Sequence, residues 1–418
     1  MKVKKRVTEE QDNYIRVVLD LEEDILSKSM TNIIFEAGYA VLHKLVESNI
    51  SRLCGERYKH RKSRNLFRWG YKKSEIILAG KKITLQHGRV RDVENNREVT
   101  LEDLEALKIT DPLEEKVLEQ MKIGVSTRKY RRSLESVPEN IRSYGTSKSS
   151  VSRHFVAKTK AQLAKWLNAR IEEDFPILMI DGIEFTDTTV VVVLGINKKG
   201  QKRVLGAWDG STENSQMCTD LLNNLIERGL NPKNVHLAVI DGSKALRKGL
   251  RDIFGNGFLV QRCQLHKMRN VKGYLPENMK NQIWQAMSEA YASTDYETAK
   301  RLLLNIKRRL DDNHPRAASS LEEGMEETLT LHRIGAPKAI RKSLSTTNPI
   351  ESLNSTIRAV TRRVKHWRDS KMILRWVYAS ITEAERKFRS IRGYTQMPHL
   401  LSLLELKSEE ILNERRIA

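Results

Sequence analysis

Apolar positions fall at helical spacing through the first sixty residues, at Ile15, Val18, Leu19 and Leu21, then at Ile33, Ile34, Ala37, Val41, Leu42 and Leu45. The period then changes. SEIILAG and KKITLQHGRVRD carry β-type residues broken at Gly80 and Gly88, which predicts a small hairpin. Residues 112–168 return to helical spacing. Within them, KIGVSTRKYRRSLESV and YGTSKSSVSRHFVAKTKAQL read as two helices joined by a short turn at Tyr144 and Gly145, with Thr146 or Ser147 as N-cap of the second.

From Phe175 the pattern becomes that of buried strands. PILMIDGIEF is an apolar run ending in an acid, and TTVVVVLGINKKG and QKRVLGAWDG follow with a Gly and Lys turn between them, an antiparallel meander opening a mixed sheet. SQMCTDLLNNLIERGL is an amphipathic helix closed by Gly229, VHLAVIDGSKAL a fourth strand, LRKGLRDIF a short helix, and FLVQRCQLHKMRNV opens as a fifth strand. Three strands, helix, strand, helix, strand is the order of the ribonuclease H-like fold, although it also suits other α/β folds. A charged helical stretch from about Pro276 to Ile340 then interrupts the α/β pattern as an insertion, and the remainder to Ala418 is basic and helical.

The expected organisation is a helical region at 1–60, a small β element at 61–110, a helix-turn-helix-like region at 111–172, the first part of an α/β core at 173–275, the insertion at 276–340, a core helix with basic helices at 341–395, and a tail at 396–418. In a helix-turn-helix the second helix enters the major groove, so Lys148, Ser149, Ser152 and Arg153 are the candidate base readers.

Charge narrows the partner. The chain carries a formal net charge of +21, with Lys and Arg spread along its length. Distributed cations favour a polyphosphate partner through counterion release, although a basic protein need not bind one. The run YKHRKSRNLFR at 58–68 and the pair Arg89 and Arg91 add to this, and between Lys338 and Arg392 fourteen Lys or Arg face four acids. No run of eighteen apolar residues and no signal-peptide core occurs, so a cytoplasmic protein is expected. Three scattered cysteines, none in a CxxC pair, make neither a disulfide framework nor a structural zinc site.

Against that charge one acid stands out, Glu351, near the start of the basic helix expected in STTNPIESLNSTIRAVTRRVK. Asp181 and Asp241 each end an apolar strand on neighbouring strands of the expected sheet, so the three carboxylates can converge. Such a site suits two divalent ions, Mg²⁺ or Mn²⁺, which together stabilise the attacking and leaving oxygens of a phosphoryl transfer. Each acid alone has a plainer explanation, an Asp-Gly turn or a helix N-terminal acid, and Glu184, Asp187 and Asp209 compete. Asn348 and Asn354 flank Glu351, and Arg358, Arg362, Arg363 and Lys365 are expected on its helix as phosphate contacts.

With these residues in place the chain resembles the mutator-type transposases of bacterial insertion sequences, aspartate-aspartate-glutamate enzymes with a ribonuclease H-like core. The matching motifs are IDGIEF (180–185), VIDGSKAL (239–246) and TTNPIESLNSTIR (346–358), with Cys263 and His266 in CQLH as a fourth. The intervals of 60 residues from Asp181 to Asp241 and 110 from Asp241 to Glu351 also fit, and upstream GYKKSEIILAGKKITLQHGRVRD and GVSTR are similar, so the likeness spans about 65–395 and leaves the first sixty residues unplaced.

The resemblance implies binding of terminal inverted repeats by the helical N-terminal region, cleavage and strand transfer by Asp181, Asp241 and Glu351, and action as a homodimer or higher multimer on double-stranded DNA near the nucleoid. It also implies that Cys263 and His266 help position a DNA end and that Trp284 stacks on an unpaired base. A metal-dependent nuclease of the same fold, such as a resolvase, and a non-catalytic DNA-binding derivative are the alternatives.

Overall fold

In a computed structural model, residues 30–417 are described except 58, 60–64, 79, 110–111, 135–137, 139–140 and 211–213. The helical positions expected at Ile15 to Leu21, and most of the basic run at 58–68, lie outside the described residues. The chain divides into two units, Met1–Lys158 and Thr159–Ala418.

In the first unit helix α1 (Met30–Cys54) lies on an antiparallel hairpin of β1 (Leu66–Leu78) and β2 (Lys81–Asp92). Phe35, Val46, Ile50 and Cys54 pack there against Ile76, Ile83, Leu85 and Val90. Gly80 takes the turn with φ +75°, a left-handed conformation that favours glycine. Gly88, expected to break the strand, sits inside β2 opposite Tyr71. A side chain there would meet Ile50 Cδ1 at 3.2 Å, so its absence lets α1 approach the sheet. The short β3 (Arg97–Val99) pairs with β2, and Arg89 is engaged with Glu98 at 2.8 Å. Helix α2 (Glu102–Ile109) adds Leu104 to the core.

The expected helix pair is corrected here. Helix α3 (Pro112–Lys122) stops at Gly124, φ +92°, and Tyr144 belongs to a two-residue strand, β4 (Ser143–Tyr144), whose Tyr144 pairs with Lys82 of β2. Of the first expected helix, KIGVSTRKYRRSLESV, the described residues after Lys122 form only a 3-10 turn at Tyr130–Ser133, and Tyr144 lies in a strand rather than in a tight turn before α4 (Lys148–Leu167). Ser147 does cap α4, its Oγ accepting the Ser150 amide at 3.3 Å. Lys148, Ser149, Ser152 and Arg153 are exposed on its first turns.

The second unit is built on a five-stranded mixed sheet ordered β7-β6-β5-β8-β9, from β5 (Ile177–Phe185), β6 (Thr188–Ile196), β7 (Lys202–Gly210), β8 (Leu237–Ile240) and β9 (Leu259–Arg262). The first three form the expected meander, and β8 and β9 run parallel to β5. The strands alternate between two buried faces, as period-two side chains must. Leu178, Ile180, Val191 and Val193 meet α5 (Ser215–Glu227) and α6 (Lys244–Phe254). Ile177, Met179, Ile183 and Val192 meet α14 (Asn348–Thr361), α15 (Ser370–Glu385) and α16 (Met397–Ile417) once the intervening helices are counted, so the expected tail contributes Met397, Leu400 and Leu404 to this core.

Those intervening helices run from α7 (Gln264–Gly273) through α8 (Glu277–Ala292), α9 (Tyr296–Asp311), α10 (Pro315–Glu322), α11 (Met325–Thr328) and α12 (Thr330–Arg333) to α13 (Lys338–Leu344). Helices α7 to α11 have a core of their own, in which Met268 and Val271 of α7 join Ile283, Leu303 and Leu321, so the inserted layer begins earlier than residue 276, whereas Leu331, Ile340 and Leu344 of α12 and α13 join the sheet core.

Two placements differ from expectation. Asp181 lies mid-strand, because β5 runs on to Phe185 against β6 after β8 has ended at Ile240. And α14 ends at Thr361, so Arg358 is helical while Arg362, Arg363 and Lys365 follow the helix; all four are exposed. No described helix is long and apolar enough to cross a membrane.

Candidate active site

Asp181 shares the β5 face of Ile177, Met179 and Ile183, which directs its carboxylate toward α14. There Asn354 donates to Asp181 Oδ2 at 2.7 Å, and Asp181 is only 8 % exposed. Burial first, and then the negative charges of Asp241 and Glu351, push the Asp181 carboxyl up to about 7 against the opposing pull of His266. The acids on the two parallel strands and on α14 therefore sense one another.

Asp241 follows the last residue of β8, and its Oδ1 accepts the Ser243 amide at 2.9 Å, a turn that opens α6. Gly242 has φ +111°, and any side chain there would collide with the Arg262 guanidinium. This Asp-Gly step therefore answers both backbone conformation and close packing.

Glu351 stands in the first turn of α14, a position that favours an acid, with Pro349 suited to the same turn. Its Oε1 lies 3.3 Å from Arg269 Nη1, 3.5 Å from His266 Nε2 and 3.3 Å from Thr347 Oγ1. Cys263 caps α7, fully buried, with its sulfur accepting from the Thr347 amide at 3.3 Å and the Thr347 hydroxyl at 3.4 Å. Burial raises the thiol pKa, but hydrogen bonds from His266 and Thr347 outweigh it and leave the group below its ordinary value. His266 is shifted upward, chiefly by its hydrogen bond with Cys263 against the cost of burial.

Ligand-capable atoms of Cys263, His266 and Glu351 lie within 4.8 Å of one another. The sulfur already receives two donors from Thr347, which marks it as a buried acceptor pinning the start of α14. A hard divalent ion prefers oxygen ligands, the kind that carboxylates offer.

Of the other candidates, Asn348 is exposed at the start of α14. Asn354 does not attend Glu351 but holds Asp181. Trp284 is half-buried against the core of the inserted helices, with the Lys272 ammonium 5.5 Å from its ring centroid. Lys148, Ser149 and Arg153 belong to the first unit. Sequence reasoning missed Thr347 and Arg269. Arg269 stands three residues after His266, on the same face of α7, which is the signal that was available.

The sequence model described as Transposase, Mutator family, matches residues 10–390, which extends the family region upstream across most of the segment left unplaced above. Among curated proteins, the transposase for insertion sequence element ISRM5 of Rhizobium meliloti is 28% identical over 286 residues, 66% of this chain and 69% of the relative. The transposase for insertion sequence element IS6120 of Mycolicibacterium smegmatis is 27% identical over 237 residues, 55% of this chain and 71% of the relative. That for insertion sequence element IS256 in transposon Tn4001 of Staphylococcus aureus is 27% identical over 257 residues, 58% of this chain and 62% of the relative. A match that runs through both units leads to one conclusion: the chain belongs to the Mutator family of transposases.

Proposed function

We propose that the chain cuts the ends of its own insertion sequence and joins them to target DNA, with Asp181, Asp241 and Glu351 as the acidic centre of a ribonuclease H-like core. The observation that carries this reading is the crowding at Asp181, whose carboxyl is pushed to about 7 by burial and by two neighbouring acids. Hard oxygen donors gathered at a partly dry sheet edge fit divalent cations, which compensate that crowding. Bound there, two ions, Mg²⁺ or Mn²⁺, supply Lewis-acid stabilisation to the entering and departing oxygens of a phosphoryl transfer.

The chain's own residues set the geometry. Asn354 fixes Asp181, the Ser243 amide orients Asp241, and the Thr347 contacts to Cys263 hold the first turn of α14, which carries Glu351. His266 and Arg269 restrain the Glu351 carboxylate and lie where a DNA phosphate arrives. Arg358, Arg362 and Arg363, with Asn348, offer further phosphate contacts outside the site. In this reading the first unit, including Lys148, Ser149 and Arg153 on α4, recognises double-stranded inverted repeats, and a homodimer or larger multimer pairs the two ends in the bacterial cytoplasm, on the nucleoid.

The test is a reaction of labelled element ends with a target plasmid in Mg²⁺. Wild type should yield nicked ends and joined products, and Glu351→Gln should lose both. Cleavage without joining assigns the chain to the nuclease alternative, and full strand transfer by Glu351→Gln refutes the acidic centre.

A further inference from the structure

Beside the acidic centre a groove of about 1030 Å³ opens between the second half of α7 and the length of α10. Arg269, Asn270, Gly273 and Tyr274 line one wall, and Arg316, Ser320 and Glu323 the other. We propose that this groove holds an unpaired stretch of DNA strand adjoining the bond that is cut, with Tyr274 as the surface on which a base stacks. The inference rests on the reading of Asp181, Asp241 and Glu351 as the cleavage site.

Position is the first argument. Arg269 lines the groove and also reaches Glu351 at 3.3 Å, so the groove starts where the acidic centre ends. Charge is the second. Arg316 is exposed and has no ion-pair partner among the described residues, whereas Glu323 is held by Arg262 at 3.3 Å and Lys267 at 3.7 Å. The unspent charge of the groove is therefore positive.

Shape and surface decide between duplex and single strand. Tyr274 is 55 % exposed, a large aromatic outside the apolar core of the inserted helices. A duplex keeps its bases stacked inside and offers such a ring only phosphates, whereas an unpaired strand offers base faces and phosphates together. Beside Tyr274, the position where Gly273 would carry a side chain has no atom within 4 Å, so the groove is open there. The walls are fixed in advance. Lys267 of α7, fully buried, donates to the carbonyls of Ser320 and Glu323, both at 2.5 Å, and so ties α7 to the end of α10. Trp284, half-buried with Lys272 over its ring, presents less free surface than Tyr274.

The experiment uses the full chain without divalent metal, so that no cleavage intervenes, and reads fluorescence anisotropy with two probes. One is a blunt duplex of the element's end; the other is the same duplex with a short unpaired tail. Wild type should prefer the tailed probe by on the order of tenfold, and Tyr274→Ala should reduce the preference to about twofold or less. Gly273→Leu, which fills the groove from a position without clashes, should do the same while Gly273→Ala keeps the preference. Blunt-duplex affinity and thermal melting should not change in any variant.

A wild type without tail preference overturns the groove, as does a preference that survives both Tyr274→Ala and Gly273→Leu. Nicking and joining in Mg²⁺ by a wild type with no tail preference sinks the groove and leaves the acidic centre standing. Tail preference lost in Tyr274→Ala by a chain that never cleaves supports the groove and sinks the acidic centre instead.

Discussion

The sheet of the second unit is buried on both faces and the helices inserted after β9 on one side only, and the two are held in different ways. Both faces of the sheet are apolar, from Val190 to Leu194 on one strand and Ile177 to Ile180 on the next. Where the inserted helices join the sheet, polar side chains do the work. Gln261 of β9 donates to Thr328 O at 2.8 Å and accepts from the Leu331 amide at 3.0 Å, Gln264 donates to the same carbonyl at 2.9 Å, and Thr330 donates to Val260 O at 2.7 Å. Apolar contacts are numerous and individually replaceable, whereas a buried hydrogen bond leaves an orphan when either partner goes. The sheet can therefore carry an acid such as Asp181 in mid-strand, while the junction depends on particular pairs.

The sharpest way to test that contrast is Asp181→Asn. Strand cleavage by the variant should fall by at least about 10³-fold, the scale seen when a member of a catalytic set is removed. Its melting temperature at neutral pH should not fall below that of wild type, because the charge disfavoured by burial and by Asp241 is gone while Asn354 keeps an acceptor. A large loss of stability would show that the sheet needs this carboxylate for its fold.

At the junction the expected order reverses. Gln261→Leu keeps the volume but strands the Leu331 amide, and should cost about 2 kcal/mol in urea denaturation. A neutral result would erase the distinction between the two regions.

The third effect is smaller and depends on pH. His332, 3 % exposed within the inserted helices, donates from Nε2 to Tyr291 O, and burial, helped by the Arg341 charge, holds its pKa near about 4 against 6.5. The unfolded chain therefore takes up the proton first. The stability this neutral imidazole confers is complete above about pH 6.5 and is lost as pH falls toward 4. The unfolding free energy from urea denaturation should decline by about 1–2 kcal/mol from neutral to mildly acidic pH in wild type and by less in His332→Gln.

Much of this architecture was legible because the sheet writes itself as apolar runs bounded by Asp-Gly and Gly-Lys turns. Asp241 was found by that rule and lies where the rule places it. Asp181 was found by the same rule although its strand continues, since the extra pairs with Thr188 to Val191 of β6 lie in the next run of sequence. Tyr144 was misread because a two-residue strand has no pattern of its own and exists only through Lys82. The site's internal bonds were illegible for a related reason. Asn354 and Asp181 are 173 residues apart, and Thr347 and Cys263 are 84 apart, so no local period can announce either pair.

Those same separations give the Cys263–Thr347 contact a consequence for the growing chain. The inserted helices bury Met268 through Leu329 among themselves, so they can condense locally and shorten the loop that must close before α14 reaches the sheet. Asp181 and Asp241 precede Glu351 in the chain, and the contact of Thr347 with the Cys263 sulfur ties the turn before Glu351 back to the segment that follows β9. On the proposed reading of these acids, the last carboxylate of the centre is also the last to be synthesised.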